Sequence, residues 1–452
     1  MVMFSAWLWP KVDFTPARAE ALSIASRLRA LVNYLMMSQR KKSNFSPLFI
    51  IGVLLLLGVF GQAEDWPRFR GQNGTGISMA KGIPSKFTLD DVNWRVELKG
   101  EGHASPVLWG GRVFVTSSNK VKGAFIVQCL SVVDGSEIWS VSRSQSAFRT
   151  HRYNHLTSST PATDGQRLVV LVSRPGAHTL IALDLKGKQL WQRVFETTVS
   201  NHGGGISPIL YEGQVVLAAD EDNQSFLVSL DAKSGEQLWK VNRINAKAAF
   251  STPCEFTDPS GAKGLVFNSM GHGVTFVDPS TGKTLWEQPR VFDKRTVSSS
   301  LVAGGLLIGT CGSGQGGNYL VAINPGESAK GVPSSLAYKL RRSVPYVPTS
   351  LAKDGLLFLW GDGGVVTCVR AKTGKVLWQE RVEGRFFGSP VWVDGRLFCI
   401  STNGKLVVIQ ASDTFNQIAV NDLDEPSNAT PALAENRMYL RTLGHLISLG
   451  AH

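Results

Sequence analysis

The chain has 452 residues, 43% hydrophobic and 18% charged, with 46 glycines and 12 tryptophans, a globular composition with chain enough for a large core. The formal net charge is +12, but residues 1–63 carry seven basic and two acidic side chains, so the remainder stands at +7. Lysine and arginine are spread without a long basic run, which permits contact with anionic partners but does not indicate a nucleic-acid groove.

In chain order, residues 1–35 carry a mildly amphipathic segment ahead of Arg40, Lys41 and Lys42. A signal peptide begins its charged region close to the start, so 1–35 read as a doubtful extension or a mis-assigned start, with Met36 or Met37 the natural later one. Residues 36–63 read as the signal peptide: the basic flank, an apolar run from Phe49 to Phe60, then Gly61 and Ala63 placed for a cut before Glu64. The run is short for a membrane span. The expected location is therefore periplasmic or secreted, with no stable span once the signal is cut; the alternative is an inner-membrane anchor left uncleaved. Residues 64–91 form a lead-in.

From 92 to 452 the chain repeats. Eight Ser/Thr marks open the copies: Ser105, Thr160, Ser207, Thr252, Ser299, Thr349, Ser389 and Thr430. Each precedes short runs of Val, Leu, Ile and Phe bounded by Gly, Asp or Asn, which are strands and turns. Five copies place Gly four residues before Trp, ending at Trp139, Trp191, Trp239, Trp286 and Trp378; a sixth, INPGESAKG at 323–331, keeps the turn and lacks the tryptophan. The Gly-Lys-Thr of TGKTLWEQP at 281–289 belongs to this repeat. A phosphate loop would need glycine where Val277 stands.

Four antiparallel strands in each unit of 40–50 residues make a propeller blade. The expected fold is all-β: an eight-bladed β-propeller of four-stranded antiparallel blades, closed by an N-terminal strand. The last copy supplies three strands, and VNWRVELKG at 92–100 supplies the fourth. The five tryptophans have a docking task, each wedged against the next blade, with the glycine four residues earlier turning the chain to place it.

These blade words resemble the tryptophan-docking repeats of PQQ-like, quinoprotein-type propellers, over roughly 92–450. The opening EDWPRFRGQNGTGIS at 64–78 and the stretch 201–231 resemble secreted repeat proteins of planctomycete-type bacteria, which are commonly labelled as similar to the outer-membrane assembly lipoprotein BamB. The resemblance implies the fold. For catalytic quinoprotein alcohol dehydrogenases it also implies a vicinal disulfide, a calcium held by acidic and amide groups, and a catalytic aspartate. The five cysteines here are scattered, with no adjacent pair, and read as small buried hydrophobes; no lipid-attachment cysteine stands near residue 64.

His103, His151, His155 and His202 all fall in links between blades and are the candidate ligand contacts on the channel face, while a metal stays unassigned. DEDNQS at 220–225 reads as a solvated hairpin, and the glycine-rich 309–320 as a turning loop. Blade five, irregular without its tryptophan, is followed by Arg341, Arg342 and Tyr346, the candidate partner contacts. The functional expectation is a non-catalytic scaffold, without cofactor, monomeric, binding a protein or cell-envelope partner and no nucleic acid. The alternative is a quinone-dependent or other oxidoreductase using the channel face.

Overall fold

A computed structural model describes residues 65–451 apart from 120, 146, 147, 149, 150, 152 and 198–201. The expectations for 1–35 and 36–63 lie outside these residues. Eight sheets are present, seven of them four-stranded blades and one with a fifth strand added. Helix among the described residues is limited to three single 3-10 turns, Gln72–Gly74, Leu89–Asp91 and Ser328–Lys330.

Blade one shows the unit: strands Val107–Trp109, Arg112–Asn119, Ala124–Ser131 and Glu137–Ser144, each antiparallel to the next. The middle strands are buried along nearly their whole length, because neighbouring blades cover both sheet faces; the outermost alternates between half-buried and exposed. Seven blades carry a one-residue register shift between third and fourth strands, as at Ser229/Leu230. Such a bulge increases local twist and turns the last strand at the perimeter.

The eighth blade closes the ring. Ala432–Ala434, Arg437–Arg441 and His445–Gly450 are completed by Trp94–Glu97, which pairs antiparallel from Trp94 opposite Ser448 to Glu97 opposite His445. No blade is left with a missing outer strand. The extra strand, Ile77–Ser78, runs parallel to the first strand of blade seven, Val391–Val393.

At the perimeter each ring-bearing outer strand meets the following blade. The indole N–H of Trp94 donates to the carbonyl of Val132, Trp139 to Leu185, Trp191 to Ala232, Trp239 to Pro279 and Trp378 to Ser412, at 2.8–3.1 Å. Trp286 packs in its interface with its indole nitrogen buried and unpaired. The motif glycine serves the other side of this joint. A Cβ on Gly235 would lie 2.6 Å from the Trp191 ring, and one on Gly282 2.7 Å from Trp239. Each glycine thus admits the tryptophan of the preceding blade, at positive φ, besides turning the chain toward its own. Blade five differs from expectation: Tyr338 takes the tryptophan's place, its hydroxyl donating to the Ala371 carbonyl and its ring covering Gly374.

Around the axis the eight marks form a collar. At seven of the eight steps the backbone N–H of one mark donates to the side-chain hydroxyl of the next: Ser105 to Thr160, Thr160 to Ser207, Thr252 to Ser299, and onward through Thr349, Ser389 and Thr430 back to Ser105, at 2.9–3.2 Å. Only a short side chain with an acceptor oxygen can make this link, which is why Ser or Thr recurs there.

The lead-in crosses the axis on the side of the residues that follow the marks. Trp66 bridges Leu108 of blade one, and Pro67 accepts from Thr163 of blade two. Asn73 exchanges hydrogen bonds with Glu255 of blade four, and Gly76 accepts from Trp392 of blade seven. Arg70 is fully buried, and its five N–H groups reach five carbonyls: Gly74, Thr75, Thr349, Ser350 and Pro390. Burial lowers its pKa to about 9, and that of Arg68, which donates to the Pro253 carbonyl, to about 10.

Candidate functional site

The central channel is a cavity of about 760 Å³. All eight collar residues line it, and Phe69 of the lead-in lies among the lining residues from the far side. The open face is built by the links that precede each mark. Two residues before a mark the side chain turns to the channel, because alternate residues of an extended chain share a face. His103, Ser158, Gly205 and Phe250 hold that position before the first four marks. Val297, Val347, Phe387 and Asn428 hold it before the others.

Three of the four sequence-nominated histidines line this cavity: His103, His151 and His202. The four stand as two pairs. His151 and His202 have ring centroids 5.1 Å apart; His103 and His155 are 5.3 Å apart. His155 is buried behind the wall, its Nδ1 3.1 Å from the Thr157 hydroxyl and its Nε2 3.8 Å from the Glu101 carboxylate. Arg295 donates to His202 Nε2 at 2.8 Å, which requires that nitrogen to be the acceptor of a neutral ring. Burial, with Arg295 and His151 adding to it, lowers the His202 pKa.

Of the blade-five candidates, Tyr346 is half-buried in the channel lining, while Arg341 and Arg342 are exposed, Arg341 with its guanidinium 5.7 Å from the Tyr319 ring centroid. Tyr346 and Val347 donate their amides to the two oxygens of Asp362, at 2.6 and 3.0 Å. Asp362 is the one carboxylate of the lining, and burial raises its pKa. The glycine-rich loop contributes Ser313, Gly314, Gly316 and Asn318 to the same wall.

The expected solvated hairpin at 220–225 is a correction. Asp220 and Glu221 are buried, at 2% and 1% exposure. Asp220 stands 3.1 Å from Arg243 Nε, and Glu221 2.8 Å from His178 Nε2, whose Nδ1 lies 2.9 Å from the Ser173 hydroxyl. Charge burial of this kind requires a partner, and both partners come from other strands, one of them from blade two. All five cysteines are buried with free thiols.

Sequence reasoning missed Tyr153, Phe387, Arg295 and Arg385 as channel residues. Arg295 and Arg385 each sit four residues before a mark, and Phe387 two before, so counting back from the repeat would have found three of them. The lining also bears on the calcium that quinoprotein resemblance implies. Its single carboxylate has both oxygens on backbone amides, and no group of three His, Cys, Asp or Glu poised for a metal occurs among the described residues. The donor set does not fit a calcium-held quinone.

The comparisons with known proteins are consistent with this architecture. The chain is 23% identical over 356 residues to the outer membrane protein assembly factor BamB of Burkholderia pseudomallei (strain K96243), covering 75% of this chain and 81% of that one. It is 23% identical over 230 residues to the BamB of Moranella endobia (strain PCIT), covering 46% of this chain and 57% of the relative. It is 28% identical over 189 residues to a polyvinylalcohol dehydrogenase from Pseudomonas sp, 37% of this chain and only 28% of the relative. Among solved structures, BamB from Moraxella catarrhalis superposes with a TM-score of 0.57 at 14% identity, covering 82% of this chain and all of that one. The quinohemoprotein alcohol dehydrogenase from Comamonas testosteroni gives 0.59 at 14% identity, covering 86% and 80%. At such identities the superpositions speak for the fold alone. The model of the family described as outer membrane protein assembly factor BamB matches residues 90–201, 125–330 and 337–417, more than half of the sequence, and the chain belongs to that family.

Proposed function

We propose that this propeller is a non-catalytic scaffold outside the cytoplasm, monomeric, holding a protein or cell-envelope partner on the face that carries the channel mouth. The observation that carries this reading is the contrast between the repeated collar and the unrepeated rim. Position two before each mark is His, Ser, Gly, Phe, Val, Val, Phe and Asn in turn, a surface of varied chemistry on a fixed frame. Most polar groups of the wall are tied to one another, as Arg295 is to His202 and Asp362 to the Tyr346 and Val347 amides. A wall of this kind positions a surface more readily than it moves protons. Exposed Arg341 and Arg342 extend the contact beyond the mouth on the blade-five side. Export rests on residues 36–63, and among the described residues no helix is long and apolar enough to cross a membrane.

The second reading, a quinone-dependent or other oxidoreductase, is favoured by the match to the polyvinylalcohol dehydrogenase over 189 residues. One experiment separates the two. Cells expressing the protein are cross-linked, and the purified protein is titrated with pyrroloquinoline quinone, with and without calcium, alongside a dye-linked alcohol assay. The scaffold predicts a specific envelope protein in the cross-linked product and no turnover. Stoichiometric quinone binding with turnover would reverse the order. The mature N-terminus should read Glu64-Asp65-Trp66, with the protein outside the cytoplasm.

A further inference from the structure

The two arginines of the rim differ in what they hold. Arg295 donates to His202 and to the Ala248 carbonyl, and stands 3.9 Å from Asp222. Arg385 is exposed, and among the described residues nothing accepts a hydrogen bond from its guanidinium. It lies 5.8 Å from the centroid of Tyr153, and that ring is 5.1 Å from Phe387. Stacking on an aromatic face holds a guanidinium flat while leaving its N–H edge pointing outward.

Arg385 also stands on a shared wall. A second cavity of about 210 Å³ adjoins the channel and has His103, Tyr153, Arg385, Phe387 and Asn428 in common with it. From there it runs over Thr402, Pro426 and Leu443 in the links around blades seven and eight. The guanidinium thus lies where two pockets meet, with an aromatic pair beside it. Asp362, the channel's carboxylate, accepts two backbone amides and acts on Arg385 through its charge without a hydrogen bond, so the N–H edge of the guanidinium stays open to a ligand.

We propose that the channel mouth binds an acidic peptide segment of the partner, one carboxylate paired with the Arg385 fork and the adjoining apolar side chains placed in the two cavities on either side of Tyr153 and Phe387. This rests on the scaffold reading and says which chemistry the partner presents. A planar guanidinium meets a carboxylate through two parallel N–H donors, a geometry that lysine cannot reproduce. Two connected pockets favour a chain with apolar side chains on both sides of the acid over a single small acid, since each pocket can bury apolar surface that a lone acid does not carry. The collar and the lead-in occupy the far end, so the segment enters from the mouth.

The test uses the purified full-length protein and fluorescence anisotropy of a fluorescein-labelled peptide, Gly-Phe-Glu-Phe-Gly, beside its Gly-Phe-Gln-Phe-Gly counterpart. The glutamate peptide should bind at least about tenfold tighter than the glutamine one, the difference a charge-assisted bidentate pair supplies. Arg385→Gln should abolish that difference and Arg385→Lys should fail to restore it. Arg95→Gln, an equal charge change at an exposed position on the outer strand of blade eight, should leave affinity within about twofold. Succinate at about 10 mM should not displace the peptide if the two flanking pockets contribute to affinity. Equal affinity for the two peptides, or an equal loss in Arg95→Gln, overturns the proposal. Displacement by succinate assigns the site to a free small acid and overturns the peptide. Unchanged denaturation midpoints in the variants keep folding out of the comparison. A failed peptide titration leaves a cross-linked envelope partner standing, whereas quinone turnover removes the scaffold whatever the peptide does.

Discussion

The perimeter and the axis of this ring are built on opposite rules. At most perimeter joints an aromatic ring on one blade covers a glycine on the next; Tyr338 does so where the others carry tryptophan, Trp378 meets Phe415 in place of a glycine, and blade seven holds Ala419 at the ring position. At the axis a layer of recurring hydroxyl links supports a rim whose position two before the mark takes six different residue types over eight blades. Repetition holds the blades together, and departure from it builds the channel face. The lead-in belongs to neither pattern, yet it touches blades one, two, four, six and seven.

That difference can be broken at its most demanding point first. Arg70→Met would strand five carbonyls around a buried side chain, at about 1–3 kcal/mol for each acceptor left unpaired. The expected loss exceeds about 5 kcal/mol, read as a collapse of the urea midpoint, and a shift under about 1 kcal/mol would show that the lead-in is dispensable to the axis. Trp239→Ala at the perimeter should cost about 3–5 kcal/mol, as for other buried aromatics. A finer cut compares two tryptophans. Trp239 donates to Pro279, whereas the Trp286 nitrogen has no acceptor. Trp239→Phe should therefore cost about 1 kcal/mol more than Trp286→Phe. Equal costs would mean that the indole hydrogen bond adds nothing to ring packing.

The smallest effect is expected on the channel wall. His202 has its pKa lowered from 6.5, first by burial. A histidine lowered in the folded state stabilises the fold while neutral. Its contribution is present above about pH 6.5 and is lost as pH falls through the lowered value, because the unfolded chain takes up the proton first. His202→Gln should flatten the loss of stability between about pH 7.5 and 5.5, and identical slopes for the two proteins would detach His202 from it.

Much of the ring was legible because repetition amplifies weak signals. Eight Ser/Thr marks and five Gly-to-Trp spacings located the blades, and Trp94 identified the closing strand. What escaped was which group each one meets on the neighbouring blade. Glycine and tryptophan of one motif serve two different joints, which the spacing within a copy cannot reveal. Tyr338 escaped because its hydroxyl reaches the carbonyl that an indole N–H reaches elsewhere, through a side chain of another shape. Asp220 and Glu221 looked solvated because their partners, Arg243 and His178, lie 23 and 43 residues away along the chain. At the rim, three of the four nominated histidines line the cavity, but the arginine with an uncommitted fork was not singled out, since a lone arginine in a loop carries no local pattern.

The closing strand also sets an order in time. Asn93 meets Ser448 across 355 positions of sequence, so the last blade can form only once the chain between them has been synthesised. Contacts of such separation are slow to find, and until they are found the indole of Trp94 and the apolar faces of blades one and seven lie open to water or to other chains. A polypeptide that folds as it emerges would complete its early blades and then wait for its own end. Loss of even the final strand, His445–Gly450, would strand Trp94–Glu97 along with it, leaving both termini of the ring sticky at once.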